Sequence, residues 1–142
     1  MGLINWIANL FKRCRKNSEQ NGTEELINFL NKVDSAYMNA YATKSTKELR
    51  DSLGEMCLAK VASWIFTYNA RYFGTPKFRT TVWTQVGWED GNRLMQKDVT
   101  FGRVRVAGNI HMNLADDYSE LWVVRTTPES YRIMDIRAVG GM

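Results

Sequence analysis

Apolar positions recur at helical spacing through the first half of this chain and at alternating spacing through the second. Leu3, Ile7, Leu10, Phe11 and Cys14 mark a helical stripe over residues 1–16, with Ile4 and Trp6 beside it. Residues 17–23 (NSEQNGT) are polar, include Gly22 and read as a linker. Thr23 followed by Glu24 and Glu25 suits a helix start. Leu26, Phe29, Leu30, Val33, Tyr37, Ala40 and Tyr41 then keep one face and predict a helix over 24–42. Ser45 with Glu48 predicts a capping box and a short helix at 46–52. Ser52 with Glu55 opens another over 54–73, striped by Cys57, Val61, Trp64, Ile65, Tyr68 and Tyr72. Gly74-Thr75-Pro76 ends the helical half.

From there the period is two. Residues 77–88 place Phe78, Val82, Val86 and Trp88 on one strand face and Trp83 on the other. Asp90-Gly91 signals a hairpin into a strand at 93–101. Gly102 shifts the apolar parity from Val99 and Phe101 to Val104 and Val106, which predicts a bulge. Asp116-Asp117 predicts a turn, and Thr127-Pro128-Glu129 joins strands at 118–126 and 130–138. Helices first and strands second predict an α+β domain, with N-terminal helices on one face of a mainly antiparallel four- to five-stranded sheet. The expected organisation is an amphipathic basic helix at 1–16, a linker at 17–23 and the α+β domain at 24–142.

The last strands are apolar on both sides. Leu121 and Val123 alternate against Tyr118, Trp122 and Val124, and Ile133 opposes Met134 and Ile136. A second apolar sheet face predicts a homodimer, with Trp83, Tyr118 and Tyr131 at its interface. A cavity within a curved sheet is the alternative.

Composition narrows the class. With 142 residues, 44% hydrophobic and 24% charged, the chain is globular and not broadly disordered. The net charge of +4 has a single source. Lys12, Arg13, Arg15 and Lys16 fall within five residues, and 1–16 holds no acid, which leaves the remainder balanced. A neutral body lacks the basic face that nucleic-acid binding needs. The apolar stripe with its cationic end fits an interfacial helix on an anionic membrane, through Leu3, Trp6, Ile7, Leu10, Phe11 and the four cations. Packing on the domain body or on a protein partner is the other reading. The charges follow the apolar stretch, so a secretory signal is not expected. Trp6 stands where a myristoylation site wants Ser or Thr. The two cysteines, Cys14 and Cys57, have no metal or disulfide spacing and suit a reducing compartment. The expected location is cytoplasmic, at the inner face of the membrane where the helix binds lipid.

The segment AYATKSTKELRDSL, the helix start GEMCLAKV and the ending YSELWVVRTTPESYRIMDI together resemble the nuclear transport factor 2-like superfamily. Within it, they look most like the C-terminal domain of the mitochondrial import-motor tether. The resemblance covers residues 24–138. It implies a strongly bent sheet wrapping the helices as a cone-shaped roll, an apolar pocket at the cone mouth and dimerisation through the sheet. It also implies membrane binding by N-terminal amphipathic helices. The superfold hosts enzymes, carriers and scaffolds alike.

Its enzymes work with Asp and His inside the cone. The single histidine, His111, alternates against Ile110 and Met112, which points it away from the apolar face, and Asp116 lies five residues on. Asp135 is the better acid, since an apolar pocket would raise its pKa, although Arg137 two residues on could neutralise it. Asp98 and Glu120 carry no added weight. No phosphate loop, nucleophile elbow or metal-ligand run occurs, so neither metal nor cofactor is expected. Tyr37, Tyr41, Trp64, Tyr68 and Trp122 are candidates to line a pocket for a small apolar ligand, or simply to fill the core. The leading expectation is a non-catalytic binding or scaffold domain. The alternatives are an isomerase, dehydratase or cyclase using Asp135, and a small-molecule carrier.

Overall fold

No proline interrupts residues 2–43, and in a computed structural model of the protein they form a single helix, α1 (Gly2–Thr43). The structure describes the backbone at 2–71, 73–80 and 82–139, and side chains at 22–67, 82–99, 108–110 and 118–139. The polar stretch 17–23, expected as a linker, lies inside α1. Glu19 and Gln20 are good helix formers, and Gly22 costs only about 1 kcal/mol relative to Ala, so nothing there stops the helix.

The chain divides into two compact units, Met1–Lys32 and Val33–Met142. In the first, Leu26 and Leu30 are buried, at 1% and 0% exposure, while Glu24 and Glu25 are exposed. In the second, Val33, Tyr37, Ala40 and Tyr41 continue the apolar stripe and are buried. A 3-10 turn at Lys47–Leu49 replaces the short helix expected at 46–52. Ser45 Oγ accepts from the Lys47 N–H at 3.3 Å, but Glu48 turns to Asn39 Nδ2 at 3.2 Å, so the capping box does not close. Helix α2 (Glu55–Arg71) follows, with Cys57, Val61 and Ile65 buried and Met56 and Phe66 exposed. No described helix is long and apolar enough to cross a membrane.

The five strands are β1 (Phe73–Thr80), β2 (Thr84–Glu89), β3 (Asn92–Ala107), β4 (Ile110–Thr126) and β5 (Tyr131–Val139). They form one antiparallel sheet of order β1-β3-β4-β5, with β2 also paired to β3. The expectation of α+β with helices N-terminal to an antiparallel sheet therefore holds. Four details differ. The stretch 77–88 is two strands, because β1 and β2 pair successive lengths of β3. The segment Gly74-Thr75-Pro76 lies within β1 at an irregularity in its register, where a residue lacking an N–H is tolerated on an edge strand. Against β4, Gly102 keeps unbroken register from Arg93↔Val124 to Ala107↔Ile110; the shift next to Gly102 lies in the β1–β3 ladder, between Phe73↔Val104 and Lys77↔Gly102, with the extra residues in β1. Asp116 and Asp117 lie within β4, opposite Phe101 and Thr100, and the chain instead turns at Gly108-Asn109, where Gly108 takes φ +63°.

The expected Asp90-Gly91 hairpin forms, with φ of +51° and +79° at its two corners. That geometry is a primed turn matched to the strand twist. β5 carries a register shift between the Val123 and Val124 pairings, so Ile133 and Ile136 both fall on the face of Trp122 and Val124. All four are fully buried. Beyond β5, Leu53 makes a single parallel bridge to Ile133, with Gly54 N–H donating to Ile133 O at 2.8 Å and Ile133 N–H to Ser52 O at 3.0 Å.

Candidate functional site

Strand pairing puts Lys97 directly opposite Glu120, and Met95 opposite Trp122, on one face of the sheet. The second half of α1 lays Asp34 and Tyr37 on that face. Lys97 is 1% exposed, Glu120 2% and Asp34 6%. The Lys97 ammonium contacts Asp34 Oδ1 directly and lies 3.3 Å from Glu120 Oε1. Tyr37 Oη donates to Glu120 Oε2 and Trp122 Nε1 to Glu120 Oε1, each at 3.4 Å. Aromatic rings enclose the cation, with the centroids of Trp122, Trp83 and Tyr37 at 4.9, 5.4 and 5.9 Å from Nζ. Trp83 stands edge-on to Trp122 at 5.0 Å, and Tyr37 packs edge-on against Tyr41 at 5.3 Å.

Burial shifts two groups of the cluster, Glu120 and Tyr37. Burial raises the Glu120 carboxyl, and attraction to Lys97 and hydrogen bonds from Lys97 and Trp122 only partly offset it, so its pKa stays above the ordinary range. Burial, reinforced by the negative charge of Glu120, pushes the Tyr37 hydroxyl well above its usual value. Lys97 is buried and bonded to both carboxylates, an arrangement that suits a structural tie. Its action is to tie α1, β3 and β4 together. Such a triad is costly to desolvate, by several kcal/mol per ion, and tolerates no missing member.

A second ionic chain crosses the opposite sheet face. Arg137 Nη2 bonds Glu89 Oε2 at 2.8 Å, linking β5 to β2. Its Nε donates to Asp135 Oδ2 at 2.9 Å, and Lys60 of α2 reaches Asp135 Oδ1 at 2.9 Å. Burial would raise the Asp135 carboxyl, but the hydrogen bonds and charges of Lys60 and Arg137 outweigh it and hold the pKa below the usual range. Of the two readings of Asp135, a raised acid or an ion pair with Arg137, the ion pair is the one that forms, and Lys60 clamps the carboxylate from a second side. Nearby, burial and the Asp135 charge push the Cys57 thiol up to about 12.

Of the aromatics expected at a pocket, Tyr37, Tyr41 and Trp122 come together and are buried, around Lys97 and its acids. Trp64 instead stacks under Lys60 at 5.3 Å on α2. The side chain of Tyr68 lies outside the described residues, as do those of His111 and Asp116. Trp83, expected at a dimer face, is 7% exposed against Trp122. Tyr118 pairs with Val99, and Tyr131 alternates with Ile133, so both fall on the same face as Trp122 and not on the opposite one. Leu3, Trp6, Ile7, Leu10, Phe11, Lys12, Arg13, Arg15 and Lys16 are positions of α1 whose side chains lie outside the described residues. Among the described residues, no group of three or more His, Cys, Asp or Glu side chains is placed to hold a metal.

Sequence reading missed the centre of the cluster. Its signal was present as charge in phase with apolar residues: Lys97 alternates between Met95 and Val99, Glu120 precedes Trp122 by two, and Asp34 falls between Val33 and Tyr37. A charge on an apolar stripe in three separate elements calls for a mutual partner. No protein-family model, curated protein or solved structure matches the chain.

Proposed function

We propose that this protein is a non-catalytic binding or scaffold domain, peripherally associated with a membrane through the first turns of α1. One observation carries the non-catalytic reading. The acids best placed for acid–base work are held by basic partners, Asp135 by Lys60 and Arg137, while Asp34 and Glu120 share Lys97. Residues held this way serve rigidity better than proton transfer. The long β3–β4 hairpin, with β1 and β2 end to end along one edge, fits a bent sheet wrapping the helix. That is the cone of the superfamily the sequence resembles. A homodimer through the sheet and a cytoplasmic placement at the inner membrane face belong to the same proposal.

Four cations near an anionic surface contribute about 1 kcal/mol each. The test is co-sedimentation of the full chain with phosphatidylserine-containing and with phosphatidylcholine-only vesicles, at low and at raised salt. Pelleting with the anionic vesicles alone, reversed by salt, is the expected result. It should weaken strongly when Lys12, Arg13, Arg15 and Lys16 are all changed to Gln. Equal behaviour with both lipids would refute an electrostatic anchor.

A further inference from the structure

Helix α2 is apolar on the side that meets solvent as well as on the side that meets the fold. Cys57, Val61 and Ile65 are buried, with Val61 at 0% exposure. At 3.6 residues per turn, Phe66, Ala59, Ser63 and Met56 fall within about 80° of arc centred opposite Val61. All four are exposed, Met56 at 87% and Phe66 at 78%. A surface helix ordinarily carries its charged residues on that side. Here the exposed arc is completed by Ala62, Thr67 and Glu55, so its one charge is an acid in the first turn. Lys60, at the margin, is engaged by Asp135 at 2.9 Å. Thr67 Oγ1 donates to Ser63 O at 2.9 Å, which satisfies that hydroxyl inside the helix. Little polar surface would be stranded if water left this face.

The order of residues along the arc is self-complementary. Met56 and Phe66 stand about 15 Å apart along the axis, with Ala59 and Ser63 between them at equal spacing from Val61. A two-fold axis perpendicular to the helix at the level of Val61 turns Met56 of one copy toward Phe66 of the other, and Ala59 toward Ser63. Large residues then meet side by side at both ends as sulfur–aromatic contacts, and small ones let the helices approach in the middle.

We infer that the outer face of α2 binds a second copy of this chain, helix against helix and antiparallel, with Met56 of each copy beside Phe66 of the other. Charge and area select that occupant. A two-fold contact sets like against like near its axis, so it needs a neutral centre, and this arc has one. A strongly charged partner would find no matching charge, and a helix lying in a membrane plane would carry Lys or Arg beside its apolar face. A fully covered aromatic side chain buries about 150–250 Å². With Phe66, Met56 and the five smaller exposed residues, two copies bury roughly 1,000 Å², the area at which a specific interface begins. An interface of that size suits a reversible dimer of micromolar strength. The inference goes beyond the reading above, since it keeps the second copy but seats it on α2 and not on the sheet.

The test uses the full chain and three paired variants, with mass in solution read by sedimentation and light scattering across a concentration series. Met56→Glu with Phe66→Glu sets like charges side by side in the antiparallel pair. Met56→Glu with Phe66→Lys sets opposite charges side by side. Val82→Glu with Val86→Glu puts two acids on exposed apolar residues around β2, at 81% and 51% exposure. All four positions face water, so each variant should keep the circular dichroism of the parent. The expected outcome is a parent that dimerises reversibly, at least a tenfold weakening in the like-charge variant, a smaller loss in the opposite-charge variant and no change in the β2 variant. A parent that stays monomeric throughout would overturn the inference. A dimer untouched by both α2 variants would overturn it while leaving a sheet-mediated dimer standing. Opposite charges that do no better than like ones would overturn the antiparallel pairing. A monomeric chain that pellets with phosphatidylcholine vesicles only while Met56 and Phe66 are intact would overturn it by giving the face to lipid.

Discussion

Replacing Lys97 by Met tests the central cluster most directly. Methionine keeps much of the length and apolar bulk of the side chain but removes the ammonium. Asp34 and Glu120, with side chains 8% and 2% exposed, are then left facing each other without a counter-ion. Breaking a buried ion pair by deleting one partner costs about 3–5 kcal/mol. For a chain of this size each kcal/mol moves Tm by about 2–4 °C. The melting temperature at pH 7 should therefore fall by roughly 6–20 °C. The sign of the pH dependence is equally specific. Without Lys97 the Glu120 carboxyl, already raised by burial, loses the attraction that partly offsets it and keeps the repulsion of Asp34. A carboxyl raised in the folded state contributes fully below its unfolded value, near 4, and loses that contribution as pH rises through its folded value. The deficit of Lys97→Met should thus be largest at pH 7–8 and shrink towards pH 5. Adding Glu120→Gln removes one stranded charge and should recover part of the loss. The apolar triple variant Asp34→Leu, Lys97→Met, Glu120→Leu should recover most of it, as buried ionic groups replaced by hydrophobic ones of similar volume often do. Urea denaturation followed by circular dichroism, with the m-value held constant, measures each difference. A loss below about 1 kcal/mol, or one that does not change with pH, would refute a buried ionic triad.

Other consequences are more local. Asp135 has a lowered pKa, so its contribution is present above the unfolded carboxyl value and lost as pH falls through the folded one. Asp135→Asn should cost on the order of 1 kcal/mol at pH 7 in this partly exposed setting and nothing at pH 2; a cost that persists in acid would contradict the ion-pair account. Cys57 is buried with its thiol pushed up to about 12, so in a Cys14→Ser background an aromatic disulfide reagent at pH 8 should label it only in denaturant. Rapid labelling of the native protein would place that thiol at the surface. Gly22 sits in α1 with open space where a Cβ would go, and Gly91 takes φ +79°. Gly22→Ala should stabilise by about 0.5–1 kcal/mol and Gly91→Ala should destabilise by about 1–2 kcal/mol; matching signs in paired urea melts would exclude these backbone assignments.

The elements most legible in the sequence were those written in local chemistry. The stripe from Leu26 to Tyr41, the one from Cys57 to Ile65, the Asp90-Gly91 hairpin and the Thr127–Glu129 connection all follow from nearest-neighbour rules, and all were found where expected. Errors came where a local signal competed with pairing partners. Asp116-Asp117 resembles a turn, yet each residue is held extended by the strand opposite, and Gly108-Asn109 turns the chain instead. Gly102 looks like a bulge when one strand is read alone, but its ladder with β4 is continuous and the extra residues beside it belong to β1. The polar run 17–23 looks like a linker because it lacks apolar residues, although nothing in it breaks a helix.

By itself, the sequence determined the order of helices and strands, the concentration of positive charge in residues 12–16 and the aromatic set from which the interior is drawn. Periodicity and composition are properties of neighbours along the chain, and they survive without knowledge of the fold. Tertiary structure alone decided which charges met. Asp34, Lys97 and Glu120 are far apart in sequence, and each is an anomaly on its own stripe. Only the placement of Asp34 against the sheet and the register of β3 with β4 turn three costly buried charges into one mutually bonded cluster. The same holds for Asp135. Its strand position left open a raised acid or an ion pair with Arg137, and the arrival of Lys60 from α2 beside the Arg137 bond made it a clamped carboxylate. The sign of a pKa shift depends on partners within a few ångströms, and distance in space is the quantity a linear sequence does not contain.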